Sequence, residues 1–195
     1  MCGRRGEAVC RSCRTELTPA PSGSPALFLY AGAGRDLVLA LKSNRGRAAV
    51  PWLALRLAER APLSSVVTWA PTTPARRRAR GYDQAEELAR AVGRRLGVPA
   101  RALLRRTSSE PQHGRPRAER LAGPAFAPRR AVTGHVLLVD DVTTTGATLR
   151  AAERCLYRAG ADAVQAVAVA VAAPVVTPDG TLWSATYTAE IGPTL

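Results

Sequence analysis

Over Tyr82–Pro99, "YDQAEELARAVGRRLGVP", apolar positions recur at three- and four-residue intervals: Ala85, Leu88, Ala89, Val92 and Leu96 fall on one stripe. That period predicts an amphipathic helix, capped by Asp83 and stopped by Gly97 and Pro99. "GRDLVLALKSNRG" repeats the pattern with Leu37 and Leu41 on one face, ending before Gly46, and Pro51 stands at the first helical position of "PWLALRLAERA". Elsewhere the period vanishes. "ALFLYAG", "SSVVTWAP", "HVLLVDD" and "AVQAVAVAVAA" read as short strands, the last without a polar face, as expected of a strand buried on both sides. Between the last two strands Thr145 to Ala159 reads as a helix closed by Gly160. Strand, helix and two-sided strand in succession form a βαβ unit, so the class is α/β: a parallel sheet flanked by helices.

The pattern fails from Leu104 to Arg130, a polar, arginine-laden stretch broken by prolines. Connections of that length are usually functional or disordered. A second irregular stretch, Pro19 to Pro25, reads as a linker. It divides the chain into residues 1–25, a small cysteine-bearing segment, and residues 26–195, the main domain. Trp183 and Tyr187 are expected to pack a closing strand, or to stack on a base above a site.

At 195 residues, 46% hydrophobic and 22% charged, the chain has the composition of a folded domain. Its formal charge of +13 points to polyanionic partners. Lys42 is the only lysine, so 27 of the 28 basic residues are arginine. In an Ala-, Gly- and Pro-rich chain that skew suggests a GC-rich coding bias, and the charge argues for phosphates in general, not for DNA in particular. The opening "MCGRRGEAVCRSC" lacks a signal-peptide pattern, and the longest apolar run, 163–176, is too short for a membrane span. A cytoplasmic protein without a membrane partner is the expectation.

In that compartment cysteines serve as metal ligands or core residues more often than as disulfides. Cys10 and Cys13 have the spacing with which two thiolates grip one tetrahedral Zn²⁺, and Cys2 could supply a third ligand. A fourth would have to come from an upstream start. A structural zinc knuckle and an unmetallated terminus both stand open; Cys155, on an apolar helix flank, is expected in the core.

The chemistry concentrates in "VLLVDDVTTTGATL", Val136 to Leu149. Parallel sheets bind ligands beyond the carboxyl ends of their strands, and Asp140 and Asp141 fall at that edge. Two adjacent carboxylates should face solvent, a cation or hydroxyl donors. The turn behind them, Thr144, Thr145, Gly146, Ala147 and Thr148, offers backbone N–H groups at a helix start, a glycine permitting close approach, and short hydroxyls, which together suit a phosphate. Acids for vicinal hydroxyls beside a phosphate cradle fit a sugar phosphate.

This stretch closely resembles the motif with which type I phosphoribosyltransferases bind phosphoribosyl pyrophosphate (PRPP): an aliphatic run, Asp-Asp, a hydrophobic residue, then Thr-Gly-x-Thr. With the Cys-x-x-Cys pair, "LALKSNRG", "RRRARGYDQAEELA" and "PQHGRPRAER", nearly the whole chain resembles the ComF family of competence-protein-like phosphoribosyltransferases. Asp83 departs from it, standing where the family usually has Asn. The resemblance implies the type I phosphoribosyltransferase fold for residues 26–195. Asp140 and Asp141 would hold the ribose hydroxyls, directly or beside Mg²⁺, and Thr144 to Thr148 the 5′-phosphate. The loop after "VVTWAP", Ala70, Pro71, Thr72 and Thr73, would meet pyrophosphate with Arg77 and Arg80, while Lys42 could serve as a compact ammonium at a phosphate. For Arg76 to Arg80 a solvated basic face is the plain alternative. A flexible loop carrying Arg105, Arg106, Gln112 and Arg115 would close over the site; His113 and His135 are expected to be solvated.

The implied activity is transfer of ribose 5-phosphate from PRPP to a nitrogen acceptor whose identity no side chain reveals. The rival is a non-catalytic competence-type protein whose basic surface tracks single-stranded DNA. The class leaves room for a homodimer.

Overall fold

A computed structural model describes residues 9–43, 46–60, 63–107 and 124–172. Its first half runs α1 (Arg11–Thr15), β1 (Ala26–Leu29), α2 (Gly32–Lys42), a 3₁₀ turn (Arg47–Ala49), α3 (Val50–Ala58) and β2 (Val66–Trp69). Then follow α4 (Pro74–Arg80), α5 (Gln84–Leu96), β3 (Leu104–Arg106), β4 (Phe126–Pro128), β5 (His135–Thr143), α6 (Ala147–Arg158) and β6 (Ala163–Val171). The four longer-range strands form a wholly parallel sheet in the order β1-β6-β5-β2.

Strand alternation explains why the central strands show no polar face. Leu137 and Val139 of β5, with Val167 and Val169 of β6, pack under α2, α3 and α5. Val136 and Leu138 of β5, with Val164, Ala166 and Ala168 of β6, meet α6 and the β3–β4 pair on the other side. Both faces are covered, as the α/β reading requires. The helix over Tyr82–Pro99 also forms as its period predicts. Asp83 accepts hydrogen bonds from Ala85 N and Glu86 N, Leu88, Ala89 and Val92 are fully buried, and Gly97 ends α5 at φ 71°.

The connections create the site. β5 leads through α6 to β6 on one side. From β2 the chain passes through α4 and α5 to residues 99–101, which run alongside β2 on the other: Val67 N donates to Pro99 O and Arg101 N to Val67 O, both at 2.9 Å. The chain therefore leaves the neighbouring carboxyl ends of β2 and β5 in opposite directions, which opens a crevice between them.

Three segments differ from the sequence-based reading. The stretch holding Arg76 to Arg80, for which a pyrophosphate contact and a solvated basic face both stand open in the sequence, forms the helix α4, with Thr73 as N-cap, Pro74 at its start and Gly81 at φ 79° as its end. No residue of α4 is buried, so it lacks the apolar stripe by which helices are recognised. The patternless stretch from Leu104 has a β stem: β3 and β4 pair antiparallel, Arg105 opposite Ala127, and Thr107 N donates to Ala125 O. Gln112, His113 and Arg115 lie outside the described residues. Finally, α6 starts at Ala147 instead of Thr145, because Gly146 sits at φ 72° and interrupts the helical path.

Near the N-terminus, Cys10 precedes α1 and Cys13 lies within it; both are buried with Val9 and Leu17 in the core shared by α2 and α3. Residues 18–20 then run antiparallel to β1, with Leu29 N donating to Thr18 O and Ala20 N to Leu27 O. This covers an otherwise open sheet edge. Trp183 and Tyr187 lie outside the described residues.

Two predictions follow from the packing. A Cβ at Gly93 would stand 2.8 Å from the Val98 carbonyl oxygen and 3.2 Å from Ala100 Cβ, where the chain turns back beside β2. Gly93→Ala is expected to destabilise the fold by about 1–3 kcal/mol in urea titration. Burial raises the Glu153 carboxyl on α6 from 4.5 to about 7, against the opposing pull of Arg150 and Arg154. The folded chain holds this proton more tightly than the unfolded one, so the stability it contributes is complete below about pH 4.5 and is lost as pH rises through about 7. Glu153→Gln is expected to flatten that fall, measured by urea midpoints across the range.

Candidate functional site at the carboxyl ends of β2 and β5

Near its carboxyl end β5 carries two adjacent acids that line one cleft. Asp140 is 9% exposed and stands in register with Ala168 of β6. Asp141 Oδ2 lies 3.5 Å from Lys42 Nζ at the end of α2. The Tyr82 hydroxyl donates to the Leu41 carbonyl, tying that end of α2 to the α4–α5 junction. Thus a lysine a hundred positions away in sequence is held at the acids.

Burial, then the adjacent Asp141 and more weakly Asp83, raise the Asp140 carboxyl well above its ordinary range. Asp141 N donates to Asp140 Oδ1 at 2.8 Å, which opposes the rise without cancelling it. A charge so placed favours a proton or a cation beside it.

Asp83 does more than cap α5. Its Oδ2 accepts from Thr72 N at 2.9 Å, pinning the loop after β2, while its Oδ1 serves the first turn of the helix. Burial raises this carboxyl too, against the three backbone donors. Ala70 N donates to Val139 O, so Ala70, Pro71, Thr72 and Thr73 leave β2 directly beside Asp140 and Asp141.

Behind the acids, Thr144 and Thr145 are exposed on the bend and Gly146 turns it. Thr145 Oγ1 accepts a long bond from Ala147 N at 3.4 Å, and no described side chain caps α6 at its N-cap residue. The first turn of a 12-residue helix thus presents amide donors with the positive end of its dipole.

These parts line one cleft: Lys42, Thr72, Arg76, Arg80, Asp83, Gln84, Ala85, Arg106, Asp140, Asp141, Val142 and Thr148. Of the expected residues, the structure brings together Asp140, Asp141, Thr148, Thr72, Arg80, Lys42 and Arg106. Arg77 goes elsewhere. Its Nη1 pairs with Glu86 Oε2 at 2.9 Å on α5, and Arg76 takes the place on the cleft. Arg105, exposed on β3, does not line it. Gln84 and Arg76 escaped the sequence reading. Helical spacing could have found Arg76 once α4 was recognised, since 76 and 80 stand one turn apart; Gln84 was passed over as the polar first residue of α5.

For metals, the paired carboxylates offer hard oxygen ligands of the kind Mg²⁺ uses when substrate phosphates complete its shell. Among the described residues no group of three or more His, Cys, Asp or Glu is arranged to hold a metal ion. Cys10 and Cys13 sit in apolar packing, and Cys2 lies outside the described residues, so a zinc cluster is not assembled by the side chains described.

Over 93 residues, 46% of its length, the chain is 34% identical to competence protein ComFC of Bacillus subtilis (strain 168). That stretch is similar to ComFC. This meets the family resemblance read from its motifs, although the matched region spans 37% of that relative's length. No protein-family model matches. Solved structures similar to it include a glutamine PRPP amidotransferase from B. subtilis, at 23% identity and TM-score 0.45 over 68% of this chain and 28% of that one. An orotate phosphoribosyltransferase from Aeropyrum pernix gives 20% and 0.41 over 71% and 69%. A purine phosphoribosyltransferase from Pyrococcus horikoshii Ot3 gives 20% and 0.39 over 67% and 73%. None aligns closely enough to transfer a residue's role.

The electrostatics make a test of the site's strain. Because the raised Asp140 carboxyl prefers its proton in the fold, its contribution to stability is present below the ordinary aspartate value of 3.8 and is lost as pH rises through the raised value. Asp140→Asn keeps an oxygen for Asp141 N–H and removes the charge. Its Tm at pH 8 is expected to exceed that of the wild type by a few degrees, with a flatter pH profile in differential scanning fluorimetry; a lower Tm would contradict this electrostatic account.

Proposed function

We propose that this ComF-like chain binds PRPP with Mg²⁺ in the crevice between β2 and β5 and transfers ribose 5-phosphate to a nitrogen nucleophile. The observation that carries the reading is the meeting, in one cleft, of paired acids, the start of α6 and the cations Lys42, Arg76 and Arg80. A ligand complementary to all three carries vicinal hydroxyls, a terminal phosphate and a further anionic group.

In this reading Asp140 and Asp141 accept hydrogen bonds from the ribose 2′ and 3′ hydroxyls, and the bend from Thr144 to Thr148 donates N–H and O–H groups to the 5′-phosphate. Arg80 and Arg76 fork onto pyrophosphate oxygens from α4, beside the loop after β2 that Asp83 fixes by accepting from Thr72 N. A bond forms from the acceptor nitrogen to C1′, the C1′–O bond to pyrophosphate breaks, and the nitrogen releases its proton. Mg²⁺, held by Asp140 or Asp141, would add positive charge at the departing pyrophosphate. The acceptor base is not specified by these groups.

A second reading has its own support. α4 carries Arg76, Arg77, Arg78 and Arg80 and buries none of its residues, a surface suited to the backbone of single-stranded DNA without any transfer chemistry. The two separate in one titration series. Under the transferase reading, PRPP with Mg²⁺ raises Tm, and the double variant Asp140→Asn, Asp141→Asn abolishes the rise. Under the rival, single-stranded DNA binds with steep salt dependence, the double variant binds it equally well, and PRPP at saturating concentration leaves Tm unmoved.

A further inference from the structure

Among the groups lining the cleft, Gln84 contributes a side-chain amide. It is 4% exposed, it is the first residue of α5, and its Nε2 is shielded from water with no hydrogen-bond partner among the described residues. At this end of the helix Asp83 accepts from three backbone amides, and Glu86 pairs with Arg77 and Arg90. A buried amide donor left unpaired costs stability, and folded proteins retain such groups chiefly where something else satisfies them. Around it stand the carboxylates of Asp83 and Asp140, both raised by burial, and the cations of Lys42, Arg76 and Arg80.

We infer that Gln84 is a ligand-contacting residue whose side-chain amide donates a hydrogen bond to a phosphoryl oxygen at the diphosphate end of the ligand. This rests on the PRPP reading above and adds a neutral donor to it. The choice of end follows from position. Gln84 adjoins Asp83, which grips the loop after β2, and it lies on the α4–α5 side of the cleft; the bend proposed for the 5′-phosphate belongs to α6, across β5. A neutral carboxamide also suits this spot better than another charge would. A carboxylate there would join two buried acids, whereas a carboxamide supplies a donor without adding a charge.

The experiment compares wild type, Gln84→Met and Gln84→Glu by isothermal titration with PRPP, pyrophosphate and ribose 5-phosphate, each with Mg²⁺, and by the Tm of the ligand-free proteins. Gln84→Met preserves length and removes the donor. It is expected to weaken PRPP and pyrophosphate by about tenfold or more, the effect of losing a hydrogen bond to a charged acceptor. Ribose 5-phosphate affinity should be unchanged and the ligand-free Tm equal or higher. Gln84→Glu should weaken both diphosphates further by repulsion. Wild-type affinity for PRPP and pyrophosphate in Gln84→Met would overturn the inference while leaving the PRPP reading intact. So would a lower ligand-free Tm, since the amide would then have a partner inside the protein. An equal loss for ribose 5-phosphate would overturn its assignment to the diphosphate end. A wild-type protein that binds none of the three would refute the PRPP reading itself.

Discussion

A carboxylate buried at the end of a doubly covered parallel strand is the constraint around which this molecule is organised. β5 is apolar on both faces through Val139, and Asp140 continues it at 9% exposure. Such a group is tolerable only where the fold stops excluding polar matter, and the opposite departures of the chain from β2 and β5 provide that place. The neighbouring acid is compensated differently. Asp141 has Lys42 at 3.5 Å, while Asp140 keeps its raised proton affinity and so favours a cation or hydroxyl donors.

Around that centre the fold spends backbone hydrogen bonds on position. Asp83 joins Thr72 to the start of α5, and Tyr82 joins the end of α2 to the same junction. One loop and two helices are thereby held relative to the acids, although they come from three different stretches of sequence. The pair between Arg77 and Glu86 belongs to the same framework; partly exposed, it contributes little stability but fixes which face of α4 turns to the cleft. A charge of +13 is in this sense less informative than its distribution. Arg76 and Arg80 reach the cleft, whereas Arg77 and Arg90 neutralise Glu86.

Much of this was legible in the chain itself. The two-sided apolar runs of β5 and β6, the stripe from Ala85 to Leu96 with its Asp83 cap, and the Asp-Asp and Thr-Gly-Ala-Thr segments depend on local spacing, and local spacing determined them: the α/β class, α5 and the strand-bend-helix unit. The same logic failed for α4, where start and stop signals were present but no apolar stripe accompanied them. It failed again from Leu104, where two three-residue strands are stabilised by each other and not by their own composition.

What only the tertiary structure decided was which distant groups share the cleft and which are spent elsewhere. Lys42 meets Asp141 because α2 ends where β5 ends; Arg76, and not Arg77, faces the cleft because Glu86 claims the latter; Gln84 lies beside the acids because Asp83 locks its helix to the β2 loop. Periodicity reports the face on which a side chain lies relative to its own helix or strand. It carries no information on what stands opposite that face, since strand order, crossover direction and competing partners are set by contacts between residues far apart in the chain.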